Sequence, residues 1–283
     1  MIFGSCSLDL TLPRIMGVLN ITPDSFSDGG QLFKDKEINL SSVLARAETM
    51  VQGGADFIDI GGESTRPGAN PVSLQEEMDR VLPVVERLSC AFDVVISVDT
   101  SSPELMIEAH KLGAGLINDV RSLERDGALI AAAKTGLPVC LMHMKGSPET
   151  MQDNPQYSCV VDSVMSYLSE RVKVCIKAGI KPEQIILDPG IGFGKTDEHN
   201  IELLRSCKKM GSLGCPVLIG VSRKSLVGRL LNRDIDQRLA GSLAFAYASL
   251  AAGAKILRVH DVAETADVLK VYAAMNPSTS SHF

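Results

Sequence analysis

The 283-residue sequence predicts a (β/α)8 barrel, an α/β fold in which eight parallel strands close into a single domain. Three observations predict it: eight short apolar runs each end at a polar or glycine-rich corner, the segments between them have helical periodicity, and the length is near that of one such barrel. The runs with their corners are Met16–Asn20, Phe57–Gly62, Val95–Thr100, Leu116–Asp119, Val139–His143, Ile185–Gly190, Val217–Ser222 and Ile256–Asp261. Because the chemistry of these barrels gathers where the strands end, the corners are also candidate active-site residues.

Helix signals stand between the runs. Ser73 and Glu76 have the spacing of a capping box ahead of a helix that extends to about Cys90. Asp261 and Glu264 open the final helix in the same manner.

A further helix is predicted after the third run. Ser102, Pro103 and Glu104 supply an N-cap, a proline at the first helical position and an acid in the first turn. Gly113 supplies the stop signal. The alternation of strand and helix signals therefore continues through the middle of the chain.

The strands, for example Phe57–Ile60 and Val94–Val98, read as continuous apolar runs. This pattern is typical of a parallel sheet that is covered on both faces. A doubly wound open sheet is the alternative, but eight evenly spaced units without a second composition favour closure. We predict one domain over 1–283, with an N-terminal extension at 1–13 and a frayed Ser/Thr/Pro tail at 276–283.

Composition excludes several classes of function. A net charge of −6 argues against a nucleic-acid surface, which needs clustered Lys and Arg. The N-terminus lacks the basic and apolar regions of a signal peptide, and the most apolar helix, near Ser242–Ala254, is too short to span a bilayer. Seven cysteines without a C-x-x-C pair indicate reduced, mostly structural thiols. We expect a soluble cytoplasmic protein that binds neither nucleic acid nor membrane.

The segment Asp188–Thr196 is close to a phosphate-binding loop but is not one. The pattern G-x-x-x-x-G-K-[ST] needs glycine at position 189, where Pro189 stands. What remains is an acid at a strand end, followed by a glycine-rich loop whose backbone can approach a flat ligand. A tight turn capped by Asp188 is the alternative interpretation.

Three acceptor side chains follow three different strands. Asp99 and Asn118 end the third and fourth strands, and Asp188 ends the sixth. Such groups are costly in a barrel mouth unless they have partners, and a ligand edge rich in N–H donors, such as an aminopyrimidinone, would satisfy them. Lys224 would supply the matching donor for a carbonyl and a ring nitrogen. Mutual hydrogen bonding or helix capping is the alternative.

A second group of residues favours an anion. Ser222–Lys224 opens a helix, so free N–H groups, a hydroxyl and two cations are expected to converge on one site that attracts negative charge. Arg258 and His260 are two residues apart and therefore share one face of the last strand, a region that often binds phosphate in these barrels. An ion pair between Arg258 and a neighbouring carboxylate is the alternative.

Long polar loops follow the first two strands, at Asn20–Gly30 and Glu63–Gly68. They exceed the usual length of such connections and are predicted to be mobile lids, with ordinary exposed loops as the alternative. His143 is as consistent with a satisfied histidine at the barrel rim as with a catalytic one. No zinc spacing and no nucleophile motif is present in the sequence.

Together these stretches resemble the dihydropteroate synthase family of pterin-binding barrels. The matching segments, in family order, are Met16–Gly30, Asp59–Gly68, Ile96–Thr100, Ile117–Asp119, Leu187–Lys195, Ser222–Lys224 and Arg258–Asp261. Each alone would be weak, but seven in register, spanning residues 14 to about 275, are highly specific.

The resemblance implies a transferase of folate biosynthesis that condenses 6-hydroxymethyl-7,8-dihydropterin diphosphate with 4-aminobenzoate and releases diphosphate. The implied pterin-binding residues are Asp99, Asn118, Met142, Asp188, Gly220 and Lys224. The implied diphosphate-binding residues are Asn20, Thr65, Arg66, Arg258 and His260, with Mg²⁺ reached through Asn20. The implied aminobenzoate-binding residues are Pro23, Phe26, Pro67, Phe193 and Ser222. The residues expected to carry the catalysis are Asp99, Lys224, Arg258 and His260.

The resemblance also implies sulfonamide inhibitors and a homodimer. We expect a dissociative, Mg²⁺-assisted substitution during which the two lids close and exclude water from the site. The alternatives are a pterin-dependent methyltransferase, which would leave Ser222–Lys224 and Arg258–His260 without a diphosphate, and a catalytically idle pterin-binding paralogue.

Overall fold

The computed structural model describes residues 1–22, 33–34, 37–64, 72–146, 151 and 155–276. Its strands are β1 (Ile2–Phe3), β2 (Cys6–Ser7), β3 (Arg14–Asn20), β4 (Phe33–Lys34), β5 (Glu37–Ile38), β6 (Phe57–Gly61), β7 (Val95–Asp99), β8 (Leu116–Asp119), β9 (Val139–Met142), β10 (Ile185–Asp188), β11 (Leu218–Ile219) and β12 (Ile256–Val259). Its α-helices are α1 (Leu40–Gln52), α2 (Leu74–Ala91), α3 (Pro103–Lys111), α4 (Ala128–Thr135), α5 (Val160–Lys177), α6 (Asp197–Arg205), α7 (Cys207–Gly211), α8 (Ser225–Leu231), α9 (Leu239–Ala251) and α10 (Val262–Met275).

Eight of these strands form one parallel sheet in the order β10-β9-β8-β7-β6-β3-β12-β11. The two ends of this order meet at a parallel bridge between Leu187 and Val217. The backbone N–H of Leu187 also donates to the carbonyl of Pro216 at 3.0 Å. The sheet therefore closes, and the predicted (β/α)8 barrel is confirmed.

The lower interior of the barrel is a plug of apolar side chains. Each barrel strand contributes one: Met16, Phe57, Val95, Leu116, Cys140, Ile186, Leu218 and Ile256. Phe3 joins them from the antiparallel β1–β2 hairpin, and its ring meets that of Phe57 edge-on at a centroid distance of 5.0 Å. The N-terminal extension thus closes the bottom of the barrel, so a ligand can enter only from the other end.

The layer above this plug is largely polar. Side chains alternate faces along a strand, so the residues two positions further on also point inward. They are Val18, Asp59, Ser97, Asn118, Met142, Asp188, Gly220 and Arg258. Five of the eight are polar or charged, which places polar chemistry at mid-depth in a barrel whose floor is apolar.

The outward-facing residues of the same strands pack against the helices in a large aliphatic core that includes Ile58, Ile96, Ile117, Leu187 and Leu257. This explains why the strands read as apolar runs: one face meets helices and the lower half of the other face meets the plug. Among the described residues, none of the helices has both the length and the apolar character needed to cross a bilayer.

The predicted helix starts are correct in position but differ in detail. Ser73 Oγ accepts the backbone N–H of Glu76, whereas the Glu76 carboxylate pairs with Arg80 instead of completing a capping box. Asp261 occupies the N-cap position of α10, yet its carboxylate binds Arg223 rather than the helix. In both cases an arginine, Arg80 or Arg223, binds the carboxylate that would otherwise contribute to the helix cap.

Candidate active site

The candidate site lies at the carboxyl ends of the barrel strands, above the apolar plug. The structure brings the predicted pterin-binding residues together there. A Cβ placed on Gly220 would lie 3.8 Å from Lys224 Nζ and 3.7 Å from Arg258 Cβ, so the seventh and eighth strands present their cations side by side. Met142 belongs to the same inward-facing layer and is buried.

Asp59 is the centre of the site, and the sequence interpretation gave it no role. Its carboxylate is fully buried in β6. Oδ1 accepts the hydroxyl of Ser97 at 2.5 Å, and Oδ2 accepts Asn118 Nδ2 at 3.1 Å and Arg258 Nε at 2.7 Å. The run Phe57–Ile60 is therefore not continuously apolar. An acid two residues after an inward-facing Phe57 is the signal that identifies it.

This network determines what Asn118 offers to a ligand. One N–H of its amide donates to Asp59, which fixes the side of the amide that carries the nitrogen and leaves the carbonyl oxygen on the other side as the acceptor for the cavity. The hydrogen bond between Asn118 and Asp59 resembles the mutual hydrogen bonding that the sequence left open as the alternative to ligand binding. Far from excluding a ligand, it fixes Asn118 as a hydrogen-bond acceptor.

Arg258 bridges two carboxylates. Besides Asp59, its Nη2 donates to Asp99 Oδ2 at 3.0 Å. Burial opposes the charge of Arg258, but Asp59 and Asp99 together raise its pKa above the usual range. Burial, reinforced by Asp59 and opposed by Arg258, raises the pKa of Asp99 to about 7. The ion pair considered as the alternative for Arg258 is thus present, in the polar layer above the plug.

Asp188 and Lys224 form the opposite wall. Asp188 Oδ1 accepts the backbone N–H of Gly190 at 2.7 Å, as the turn interpretation predicts, and burial raises the pKa of this carboxyl. Lys224 Nζ donates to the carbonyl of Ile191 and lies 4.8 Å from the ring centroid of Phe193. Burial lowers the pKa of Lys224 to about 8, with Asp188 opposing the shift.

The residues predicted to bind an anion are only partly assembled in the expected way. Ser222 Oγ accepts the backbone N–H of His260 and lies 3.2 Å from its Nδ1, so these two adjoin. Arg223 has a positive φ of 56° and turns to Asp261, where its Nε donates to Oδ2 at 2.9 Å. The expectation that both cations of Ser222–Lys224 converge on one site is therefore wrong for Arg223, whose charge is balanced by Asp261.

Asn20 stands at the rim, at the end of β3. Its Oδ1 lies 3.5 Å from the position of a Cβ on Gly61, a point that is 3.9 Å from Asp99 Oδ2. Within the described part of the chain, the side-chain amide of Asn20 makes no hydrogen bond. Five further predicted site residues, Pro23, Phe26, Thr65, Arg66 and Pro67, lie outside the described residues, as do most of both predicted lids.

His143 is the histidine that ends the fifth strand. It is 6% exposed, its ring meets Tyr167 edge-on at 5.0 Å, and its Nδ1 has no partner among the described residues. Burial and the nearby Lys195 charge lower the pKa of His143 to about 3. It is therefore a neutral rim residue near neutral pH, not a proton donor. No group of three potential His, Cys, Asp or Glu metal ligands occurs among the described residues.

Comparison with known proteins identifies this architecture. The family model described as "Pterin binding enzyme" matches residues 16–260. The dihydropteroate synthase of Haemophilus influenzae is 52% identical over 267 residues, which cover 94% of this chain and 95% of that protein.

Solved structures agree with the sequence relatives. A Yersinia pestis dihydropteroate synthase in complex with a sulfonamide drug superposes with a TM-score of 0.94 at 49% identity, covering 98% of this chain and 100% of that one. Xanthomonas albilineans dihydropteroate synthase superposes at 0.87 (46% identity, 95% and 94% coverage) with 4-aminobenzoic acid and at 0.84 (43% identity, 95% and 95% coverage) with 7,8-dihydropteroate. The chain therefore belongs to the pterin-binding enzyme family and, within it, to the dihydropteroate synthases.

Proposed function

We propose that this chain condenses 6-hydroxymethyl-7,8-dihydropterin diphosphate with 4-aminobenzoate to form 7,8-dihydropteroate and diphosphate, with the residue roles set out below. The observation that carries the proposal is the set of acceptors at the strand ends, Asp99, Asn118 and Asp188, with Lys224 as a donor in the same site. The relatives with bound 4-aminobenzoic acid and 7,8-dihydropteroate support the same substrates here.

Recognition of the pterin follows from the polarity of the site. Asp188, Asp99 and the Asn118 carbonyl present oxygen acceptors, which match the amino and ring N–H donors of an aminopyrimidinone. Lys224 offers N–H donors to the ring carbonyl and a ring nitrogen. Because the floor is apolar and closed by Phe3, the ring is held deep in the barrel with its reactive methylene directed toward the mouth.

The transfer breaks the bond between the pterin methylene carbon and the diphosphate oxygen and forms a bond from that carbon to the aromatic amine. The leaving diphosphate takes the electron pair of the broken bond, and the new secondary amine loses a proton to water. Cationic character on the methylene is conjugated with the ring, where Asp99 and Asp188 stabilise it. An aromatic amine is already unprotonated near neutral pH, so the reaction requires no strong base, in keeping with the lowered pKa of His143, which makes that side chain a weak base.

The leaving anion would be received by Arg258 and His260, and Asn20 is the residue that would hold a metal ion there. Arg258 and His260 lie two residues apart on one face of β12 and its corner, and His260 is directly beside Ser222. Asn20 would supply one amide oxygen to Mg²⁺, and its lack of a hydrogen bond in the described structure fits that use. Mg²⁺ keeps several waters and accepts substrate phosphate oxygens, so one protein oxygen is sufficient. When bound, the cation would neutralise charge on the diphosphate.

The remaining expectations concern context. A homodimer and a cytoplasmic location are proposed by analogy with the family, and sulfonamides are proposed as inhibitors that compete with 4-aminobenzoate, as the drug complex of the Yersinia pestis relative suggests. Phe193 and Ser222, which stand beside Lys224 and His260, are the described residues proposed for the aminobenzoate pocket.

The experiment that tests the proposal is reconstitution with purified protein. Dihydropterin diphosphate, 4-aminobenzoate and Mg²⁺ are combined, and dihydropteroate is followed by chromatography alongside diphosphate release. Product that requires both substrates supports the synthase, and dependence on Mg²⁺ supports the metal role. Tight pterin binding without product would instead support the idle paralogue or the methyltransferase.

A further inference from the structure

The lysine of the near-phosphate-loop pattern does not face a phosphate. Lys195 is 2% exposed, and its ammonium lies beneath the loop that follows β10. Its Nζ donates to the carbonyls of His143 at 3.1 Å, Gly190 at 2.9 Å and Phe193 at 2.7 Å. Burial lowers the pKa of Lys195 to about 7, whereas three acceptors require all three donors of the ammonium form. The contacts thus identify a buried, fully hydrogen-bonded cation.

Two other carbonyls of this loop also accept hydrogen bonds from side chains. The hydroxyl of Tyr157 donates to Gly194 O at 2.8 Å, and Lys224 Nζ donates to Ile191 O. The amide of Gly192 donates to Asn200 Oδ1 at 2.8 Å. The loop has one backbone turn, in which Phe193 N–H donates to Gly190 O at 3.1 Å. The side chains add the hydrogen bonds that a regular element would take from its own backbone.

The loop is also pressed against the segment after β9. Gly190 and Gly194 have positive φ values of 69° and 64°, and a Cβ on either would collide with the carbonyl of His143 or Lys145. Lys195 therefore crosslinks two neighbouring strand ends, donating to His143 on one side and to Gly190 and Phe193 on the other. In this way it fixes the backbone from which the Phe193 ring projects toward Lys224.

We propose that Lys195 is a positioning residue for the acceptor substrate: its buried ammonium holds residues 190–194 in the one shape that presents Phe193 to 4-aminobenzoate. The inference rests on the proposed function, since it assigns Phe193 to that substrate. The pterin depends less on Lys195, because Asp99 and Asn118 hold it from two other strands, where they bind Arg258 and Asp59 rather than the loop. Lys224 and Asp188 do contact the loop, through Ile191 and Gly190. The consequence is a selective effect on one substrate.

The test is Lys195→Met, which preserves length and removes the three donors. The carbonyls of His143 and Phe193 lose the Lys195 donor, and a buried carbonyl left without a partner costs about 1–3 kcal/mol, so the loop is expected to rearrange. The Gly190 carbonyl keeps the backbone N–H of Phe193 at 3.1 Å. We expect the KM for 4-aminobenzoate to rise about tenfold or more, which corresponds to the loss of a single such bond. The Kd for free pterin, measured by calorimetry, should rise by a smaller factor than this KM, because Asp99 and Asn118 make no hydrogen bond to the loop.

Two further variants keep the test decisive. Tyr157→Phe removes one loop hydrogen bond from a partly buried hydroxyl and should raise the same KM to a smaller extent, even if Lys195→Met folds poorly. Lys173→Met removes a lysine whose side chain is 69% exposed and should alter neither constant. Melting temperatures report the folding of each variant.

Failure of this inference can be distinguished from failure of the proposed function. A general loss of melting temperature and of active fraction, with both constants unchanged in the Lys195 and Tyr157 variants, would reduce Lys195 to a purely structural role and overturn the inference. Equal losses for pterin and aminobenzoate would overturn it as well. If the unmodified protein makes no dihydropteroate, it is the proposed function that fails, and the kinetic comparison does not arise.

Discussion

Asp59 offers the sharpest test of how the site is built. Replacing it by asparagine keeps the shape of the side chain but removes its charge and one of its two acceptor oxygens. The carboxylate currently receives Ser97, Asn118 and Arg258 at 2.5, 3.1 and 2.7 Å. An asparagine can serve Arg258 and Asn118 with its oxygen only if its NH₂ group turns to Ser97, whose hydroxyl can then accept.

Even in that best arrangement, Arg258 is left with Asp99 as its one charged partner. Hydrogen bonds to charged groups contribute about 1.5–3 kcal/mol, so we expect Asp59→Asn to lower the free energy of unfolding by about that amount. In the other arrangement the NH₂ group faces Asn118, which must flip and present its own NH₂ to the ligand. A donor facing a donor then weakens pterin binding by about 1–3 kcal/mol, or roughly 5- to 150-fold in Kd.

The assay pairs a urea titration with calorimetry of free pterin. Asp119→Asn is a matched control: this carboxylate is also fully buried and accepts the hydroxyl of Ser101 and the backbone N–H groups of Arg121 and Leu123. It belongs to the same strand as Asn118 but points to the opposite face. We expect it to lose comparable stability while keeping the pterin Kd within about twofold, since it does not touch the cavity.

The reasoning would be refuted if Asp59→Asn bound pterin as tightly as the unmodified protein. Asp59 would then be a structural acid like Asp119, and the orientation of Asn118 would be set by something other than this hydrogen bond.

Three further predictions concern the whole barrel. The kcat/KM for the pterin substrate should be highest between pH about 7 and about 8, because Asp99 is protonated below that window and Lys224 loses its proton above it. An Asp99→Asn variant whose kcat/KM still fell on the acid side of the window would contradict this. Phe3→Ala should lower the free energy of unfolding in urea by about 3–5 kcal/mol. It should leave kcat/KM unchanged because Phe3 belongs to the apolar plug below the polar site, whereas Ile2→Ala, at an exposed position, should alter neither quantity. Chelation by EDTA should abolish product formation and Mg²⁺ should restore it, with Asn20→Ala needing more Mg²⁺ for half-maximal rate; full activity in EDTA would exclude the metal role.

Much of the architecture was predictable because it follows from local periodicity. Runs that are apolar on both faces, helix start signals and corner residues depend on neighbours in the sequence, and they predicted the closed barrel. Asp99, Asn118 and Asp188 were found because a polar residue at the end of a buried strand is conspicuous. Asp59 was missed because it lies inside a strand, where its partners come from residues up to 199 positions away.

Lys195 and Arg223 are the converse case, because the sequence drew attention to both residues but did not predict their partners. Both lie in stretches whose composition suggests a phosphate or a converging anion site. In the folded chain, Lys195 turns inward to carbonyls and Arg223 turns to Asp261, which lies 38 positions further along. A residue type at a strand end indicates what chemistry is available, but not which partner receives it.

The sequence by itself determined the fold class, the family and the side of the barrel on which the chemistry lies, because hydrophobic periodicity and strand-end residues are local properties. Only the tertiary structure decided how the polar groups are paired. The pairing depends on which atoms of Asp59, Asn118, Arg258 and Lys195 come within about 3 Å of one another. That proximity is created when eight strands distant in sequence are brought around one axis.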